Sequence, residues 1–206
     1  MPDQKTITII DYGMGNIGSV TNMIRKAGGK PIVSSSIDAV YSAEKILLPG
    51  VGSFDAGINR LTEKELFDPI VDVVINNKIP LLGICLGMQL LFGTSEEGTL
   101  RGLDLIEGEA KKFISPDTKQ KIPHMAWNEV SLVKKNALME GLDENRFYFV
   151  HSYYVNCFHE EDVLGRTQYI NDFASMVQKD NIYGAQFHPE KSHKYGLRMF
   201  QNFLSI

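Results

Sequence analysis

Cysteine is scarce in this chain: 206 residues hold only Cys85 and Cys157. Neither sits in a CxxC pair or at metal-ligand spacing from a histidine, so no disulfide framework, metal site or cofactor is expected. A reduced cytoplasmic setting suits a working thiol. Long apolar runs are missing as well. None reaches the ~18 residues that a membrane span requires, and the N-terminus passes from Met1-Pro2-Asp3-Gln4-Lys5 straight into a β-rich stretch, so neither a membrane anchor nor a targeting signal is expected. Charge of one sign is lacking too. The chain carries 21 Lys and Arg against 25 Asp and Glu, a formal charge of −4, which offers nucleic acid no basic face. Repeats, low-complexity tracts and linkers are absent. What remains is an ordinary globular composition, 43% apolar and 22% charged, and its length predicts a single domain over residues 1–206 with a full core.

The most informative stretch is Pro80-Leu81-Leu82-Gly83-Ile84-Cys85-Leu86-Gly87-Met88-Gln89-Leu90-Leu91-Phe92. The apolar run after proline predicts a buried strand, Gly-x-Cys-x-Gly a sharp turn, and Met88 to Phe92 the start of a helix. This is a nucleophile elbow with sulfur in place of a hydroxyl. Gly83 and Gly87 flank the cysteine because a strand that reverses directly into a helix leaves no room for a Cβ on either side. The thiol is thereby presented at the top of a sheet, beside the free N–H groups of a helix start.

In chain order, Thr6 to Asp11 reads as a strand. Tyr12 to Asn16 reads as a loop, Ile17 to Ala27 as a helix stopped by Gly28-Gly29, and Pro31 to Val33 as the next strand. That βαβ unit requires a parallel sheet. Gly13-x-Gly15, with Gly18 at the third offset, invites a dinucleotide reading. No acidic residue closes the following strand, so a tight turn with Tyr12 to Asn16 exposed is the better account. Lys45 to Leu48 is a third strand. It ends in Pro49-Gly50-Val51-Gly52-Ser53-Phe54, a loop whose N–H groups can face a ligand. Glu65 to Asn77 has helical spacing. Short pieces around Ile106, Phe113 and Val130 read as antiparallel additions, Ile122 to Asn128 as a turn bearing the only tryptophan, and Arg146 to Val150, Val163 to Gln168, Ala174 to Lys179 and Ile182 to Phe187 as strands. His193 to Leu204 closes the chain as a helix.

A nucleophilic cysteine needs a base and a group that orients it. His188 follows an apolar strand, and an extended Pro189 places Glu190 on the same side, so Glu190 can hold one imidazole nitrogen while the other faces Cys85. His151 also follows a strand but has no carboxylate at a similar offset.

Gly83-Ile84-Cys85-Leu86-Gly87-Met88-Gln89 and Gln186-Phe187-His188-Pro189-Glu190 together resemble the nucleophile and base motifs of the class I, triad-type glutamine amidotransferases, and the likeness spans almost the whole chain. Within that family, Pro49 to Phe54, His124-Met125-x-Trp127-Asn128, Val150 to Tyr154 and His188 to Ser192 are similar to the glutaminase subunits of imidazole glycerol phosphate synthases. The resemblance implies an α/β fold of flavodoxin-like type, with a mostly parallel central sheet flanked by helices and a few antiparallel additions. It implies Cys85, His188 and Glu190 as the triad. Backbone groups of Gly50, Val51, Gly52 and Leu86 would hold the oxyanion, and Gln89, Glu97, Ser152 and Tyr153 would hold L-glutamine. It further implies ammonia transfer to a (β/α)8-barrel synthase subunit in a heterodimer, met by Asn16, His124, Trp127 and Asn128. The products would be imidazole glycerol phosphate and an aminoimidazole carboxamide nucleotide, in histidine biosynthesis. Ala126 replaces the family's usual glycine, and Asn16-Ile17-Gly18-Ser19 its usual Asn-Leu-Arg-Ser. Both departures lie where relatives face the barrel, so an ammonia supplier for another acceptor, such as a cell-surface sugar, stays open, and behind it a free-standing γ-glutamyl hydrolase.

Overall fold

The computed structural model describes residues 5–115, 120–142 and 144–206; Met1 to Gln4 lie outside them. The elements in order are β1 (Thr6–Ile10), α1 (Ile17–Lys26), β2 (Lys30–Ser34), α2 (Ile37–Tyr41), β3 (Ile46–Gly50), α3 (Phe54–Glu63), α4 (Phe67–Ile75), β4 (Leu81–Cys85), α5 (Leu86–Gln89), β5 (Phe92–Ser95), β6 (Ile106–Lys112), β7 (His124–Glu129), β8 (Ser131–Leu132), β9 (Arg146–His151), β10 (Tyr153–Cys157), β11 (Val163–Gln168), β12 (Asp172–Lys179), β13 (Ile182–Ala185) and α6 (His193–Ser205). Among the described residues, eleven strands form one sheet, ordered β2-β1-β3-β4-β13-β12-β10-β6-β5, with β11 paired to β12 and β8 paired to β11. The first five of these run parallel. From β12 onward the pairing turns antiparallel, except that β5 runs parallel to β6. The architecture is α/β with a mostly parallel central sheet flanked by helices.

Alternation along the parallel strands sorts side chains to two faces. Ile46, Leu48 and Leu81 point into a layer closed by Val40, Ile58, Leu61, Ile70 and Val74 from α2, α3 and α4. Ile7, Ile9, Leu47, Leu82 and Ile84 face Val20 and Ile24 of α1, Phe200 and Phe203 of α6, and Phe147 and Phe149 of β9. Burying each such side chain stabilises the fold by about 1.5–3 kcal/mol. α1 forms where predicted: Val20 and Ile24 recur at i, i+4, Asn16 Oδ1 accepts from Ser19 N–H at 3.3 Å, and Gly28 leaves the helix at φ +93°.

Several expectations are corrected. The helix predicted over Glu65 to Asn77 is confined to α4, because Glu65 adopts φ +56° and breaks it from α3. The helix predicted from Met88 to Phe92 is the single turn α5, after which Phe92 enters β5. Residues 124–128, read as a turn, form strand β7, paired antiparallel with β9 from His124↔His151 to Glu129↔Arg146. The piece around Ile106 is parallel to one neighbour and antiparallel to the other. Tyr12, expected at an exposed edge, is fully buried and donates its hydroxyl to the Pro49 carbonyl at 2.7 Å.

Candidate active site

β4 lies between β3 and β13, with Gly50 opposite Cys85 and Ala185 opposite Ile84. Cys85 thus stands at the carboxyl end of a central strand, and the segment after β13 is brought beside it. The elbow is strained. Cys85 adopts φ 55°, ψ −112°, a conformation that costs an L-residue of order 1–3 kcal/mol and survives only where its surroundings enforce it. They do so through contacts that exclude a Cβ: one on Gly83 would lie 2.6 Å from the Gly87 carbonyl oxygen, and one on Gly87 would lie 1.9 Å from the Leu48 carbonyl oxygen. Gly50 belongs to the same packing, since a Cβ there would meet Gly87 N at 2.7 Å. Cys85 caps α5, but one turn carries little of a helix macrodipole, so the predicted field at the sulfur is weaker than a long helix would supply. The thiol lies 3.8 Å from the Val150 carbonyl, to which its S–H can donate, and Gln186 Nε2 donates toward the sulfur at 3.9 Å.

His188 is fastened on both sides. Its N–H donates to the Tyr148 carbonyl at 2.9 Å, and its own carbonyl accepts the Ser192 hydroxyl at 2.6 Å. The extended geometry expected at Pro189 is absent, because residues 189–191 coil into a 3-10 turn. That turn still swings Glu190 back, and His188 Nδ1 lies 2.8 Å from Glu190 Oε1, with both side chains 2% exposed. Nε2 is buried and has no hydrogen-bond partner within 3.5 Å among the described residues. Burial is the largest single influence on the ring and opposes its charge, but the Cys85 sulfur and the Glu190 carboxylate outweigh it and raise the pKa to about 10.

A cleft of about 180 Å³ opens over this pair. Of the residues singled out in the sequence, Val51, Gly52, Leu86, Gln89, Glu97, Ser152 and Tyr153 line it with Cys85 and His188, whereas Gly50 lies beneath. Among the described residues, the N–H groups of Val51 and Gly52 take no intramolecular acceptor. Gln89 Nε2 donates to the Tyr153 carbonyl at 3.0 Å and to Gln186 Oε1 at 3.1 Å. Glu97 Oε2 accepts from Phe54 N–H at 2.8 Å. Its pKa is raised by burial, with the Phe54 bond opposing and Asp55 adding to the rise. Sequence reasoning gave no role to Gln186, which links Gln89 to the sulfur, although it stood in the base motif. It also passed over Val150.

The residues expected at a partner surface separate. Asn16 is exposed and Trp127 is 36% exposed, stacked on His193 with ring centroids 5.5 Å apart. His124 is corrected: it is 0% exposed, lying against Phe149 and Tyr169, and no partner can touch it directly. Asn128 is half-buried, its amide donating to the Gln168 carbonyl at 3.0 Å. His151 lines the cleft and is held neutral, its pKa lowered to about 3 chiefly by burial, with the Tyr153 carbonyl opposing and His124 and His188 adding. Among the described residues it has no carboxylate partner, as the sequence suggested.

Among the described residues, no group of His, Cys, Asp and Glu could hold a metal, and no helix is long and apolar enough to cross a membrane. The glutamine amidotransferase class-I family model matches residues 8–206. Imidazole glycerol phosphate synthase subunit HisH 2 of Methanococcus maripaludis is 53% identical over 199 residues, covering 96% of this chain and 98% of that protein. The HisH subunit of Leptospira borgpetersenii is 44% identical over 203 residues, covering 97% and 100%. Among solved structures, PurLQS from Thermotoga maritima superposes with a TM-score of 0.76 at 17% identity, covering 98% of each chain, which speaks for the fold alone. A strained Cys elbow beside a carboxylate-held histidine, a full-length family match and relatives at this identity place the chain in the class-I glutamine amidotransferase family.

Proposed function

We propose that residues 1–206 form one glutaminase domain, working in the cytoplasm, that hydrolyses L-glutamine and delivers the ammonia to a barrel-type synthase subunit. Together they would make imidazole glycerol phosphate and an aminoimidazole carboxamide nucleotide for histidine biosynthesis. The observation that carries the reading is the shared cleft of Cys85 and His188, with the far nitrogen of His188 held 2.8 Å from Glu190. The sulfur attacks the side-chain amide carbon as the thiolate, its proton resting on His188 Nε2, and the tetrahedral oxyanion is met by N–H groups of Val51, Gly52 and Leu86, each good donor contributing roughly 2.7–4 kcal/mol. His188, protonated at neutral pH by its raised pKa, gives its Nε2 proton to the leaving nitrogen, and ammonia departs. The neutral ring then takes a proton from water, which attacks the thioester and releases glutamate with sulfur and imidazolium restored. Glu190 holds the ring in one orientation throughout. Gln89, Glu97, Ser152 and Tyr153 hold the amino-acid end of glutamine.

The names of the 53% and 44% identical relatives support the pathway. Trp127, exposed on β7, supports a partner surface there. The test is Cys85→Ala in complex with the synthase subunit: glutamine-dependent synthesis is abolished while synthesis from added ammonium persists. Loss of both would contradict the division of labour. A partner that fixes the ammonia into another acceptor, such as an amidated sugar, would overturn the pathway and leave the glutaminase reading standing.

A further inference from the structure

Two buried imidazoles have no part in that chemistry. His124 on β7 and His151 on β9 are register partners, and Nδ1 of His124 lies 3.0 Å from Nε2 of His151. At one end of this row, His151 Nδ1 lies 2.7 Å from the Tyr153 carbonyl. At the other, His124 Nε2 lies 3.3 Å from Asn128 Nδ2. The two ends fix every proton between them. Asn128 is oriented because its Oδ1 accepts from Glu129 N–H at 2.8 Å while Nδ2 donates to the Gln168 carbonyl at 3.0 Å, so what meets His124 is the second N–H of the amide. A carbonyl can only accept. Both rings must therefore be neutral with the proton on Nδ1, since any other placement sets donor against donor or lone pair against lone pair. Burial holds them to this pattern: His124 is 0% and His151 6% exposed, and Phe149 and Tyr169 stack on His124 at centroid distances of 4.8 and 4.0 Å.

The carbonyl at the inner end has a second partner, the Gln89 amide at 3.0 Å, and both Gln89 and Tyr153 line the cleft. We propose that the His124–His151 row is a positioning device: it fixes the Tyr153 carbonyl, and through it Gln89, for glutamine binding, and it ties the cleft to strand β7, which carries Trp127. Shifting β7 moves His124 away from the His151 ring and so loosens the Tyr153 carbonyl at the inner end of the row. The residues act through the cleft lining and touch no reacting atom. This inference rests on the glutaminase reading, since it assigns the row's purpose to glutamine.

Two measurements test it. In the full chain labelled with 15N-histidine, the ring nitrogens of His124 and His151 at pH 7 give the Nδ1–H pattern; an Nε2–H or imidazolium pattern at either ring overturns the row. In the complex with the synthase subunit, His124→Phe keeps the stacking and loses the donor, and the KM for glutamine rises about tenfold while kcat falls less than threefold. His124→Asn places an amide N–H where Nδ1–H stood and returns KM to within about threefold of wild type. Equal impairment in the two variants, or an unchanged KM in His124→Phe, means packing only and sinks the proposal. If His124→Phe does not fold, the wild-type tautomers and the KM of His124→Asn still decide. A wild-type complex that hydrolyses no glutamine refutes the glutaminase reading instead, a different outcome from an active wild type whose KM ignores the row.

Discussion

Gly87→Ala probes the elbow with a single methyl group. The added Cβ falls 1.9 Å from the Leu48 carbonyl oxygen and 2.9 Å from its carbon, both backbone atoms that no rotamer change can move. Ordinary contact begins near 3.4 Å, so going from 1.9 to 3.4 Å requires the elbow and β3 to part by about 1.5 Å. Overpacking of this kind costs about 1–3 kcal/mol, and for a chain of this length that lowers the melting temperature by about 2–12 °C. The effect on chemistry is larger. A misplacement of about 1 Å in a reacting group costs on the order of 10²-fold, so single-turnover glutamate formation in the complex should fall at least a hundredfold while circular dichroism still shows a folded protein. Gly18→Ala is the matched control, because nothing lies within 4 Å of its Cβ and it sits in α1 at an ordinary φ. It should stabilise the chain by about 0.5–1 kcal/mol. Activity of Gly87→Ala within fivefold of wild type would refute the claim that the Leu48 contact sets the position of the sulfur.

Cys85→Ala removes one of the groups that raise the His188 pKa, so the ring should titrate at lower pH than in wild type, read from its 15N shifts; an unchanged titration would mean that the sulfur does not act on the ring. Because the folded pKa of His188, about 10, lies above the ordinary 6.5, its contribution to stability is fully present below about pH 6.5 and is lost as pH rises toward 10. The urea midpoint of wild type should therefore converge on that of His188→Gln across this window, and a constant gap would contradict the shift. Tyr12→Phe deletes the hydroxyl that holds the Pro49 carbonyl, and it should lower kcat for glutamine with little change in KM by loosening the root of the Val51–Gly52 loop; a rise in KM alone would argue against that role. Trp127→Ala should weaken binding of the synthase subunit, read by isothermal titration, and leave the melting temperature within a few degrees; unchanged affinity would argue against a partner surface there.

What could be read from the sequence was what short segments determine among themselves. The crowding of Gly83 and Gly87 around Cys85 and the βαβ opening are local, and the structure has both. The pairing of His188 with Glu190 was anticipated for a wrong reason, since a 3-10 turn at Pro189 does the work assigned to an extended chain. β7 was hidden because the partner that makes residues 124–129 a strand lies about twenty residues on, at 146–151, and a proline with polar neighbours looks like a turn until that pairing exists. The burial of His124 and Tyr12 was hidden for the same reason: both are polar residues satisfied by distant groups, the His151 ring and the Pro49 carbonyl. α5 ended early because Leu90 and Leu91, good helix formers, are claimed by the core beneath β5.

The parallel pairing of β4 with β13 has a consequence in time. The sulfur is synthesised about a hundred residues before the histidine that completes it, and at a translation rate of about 5–20 residues per second that interval is roughly 5–20 s. Throughout it the nascent chain carries Cys85 without His188 at its side, because the strand that brings His188 alongside has not yet left the ribosome. Under the proposed chemistry, reactivity toward glutamine switches on only when β13 inserts between β4 and β12, and a prematurely terminated chain carries an idle thiol that releases no ammonia.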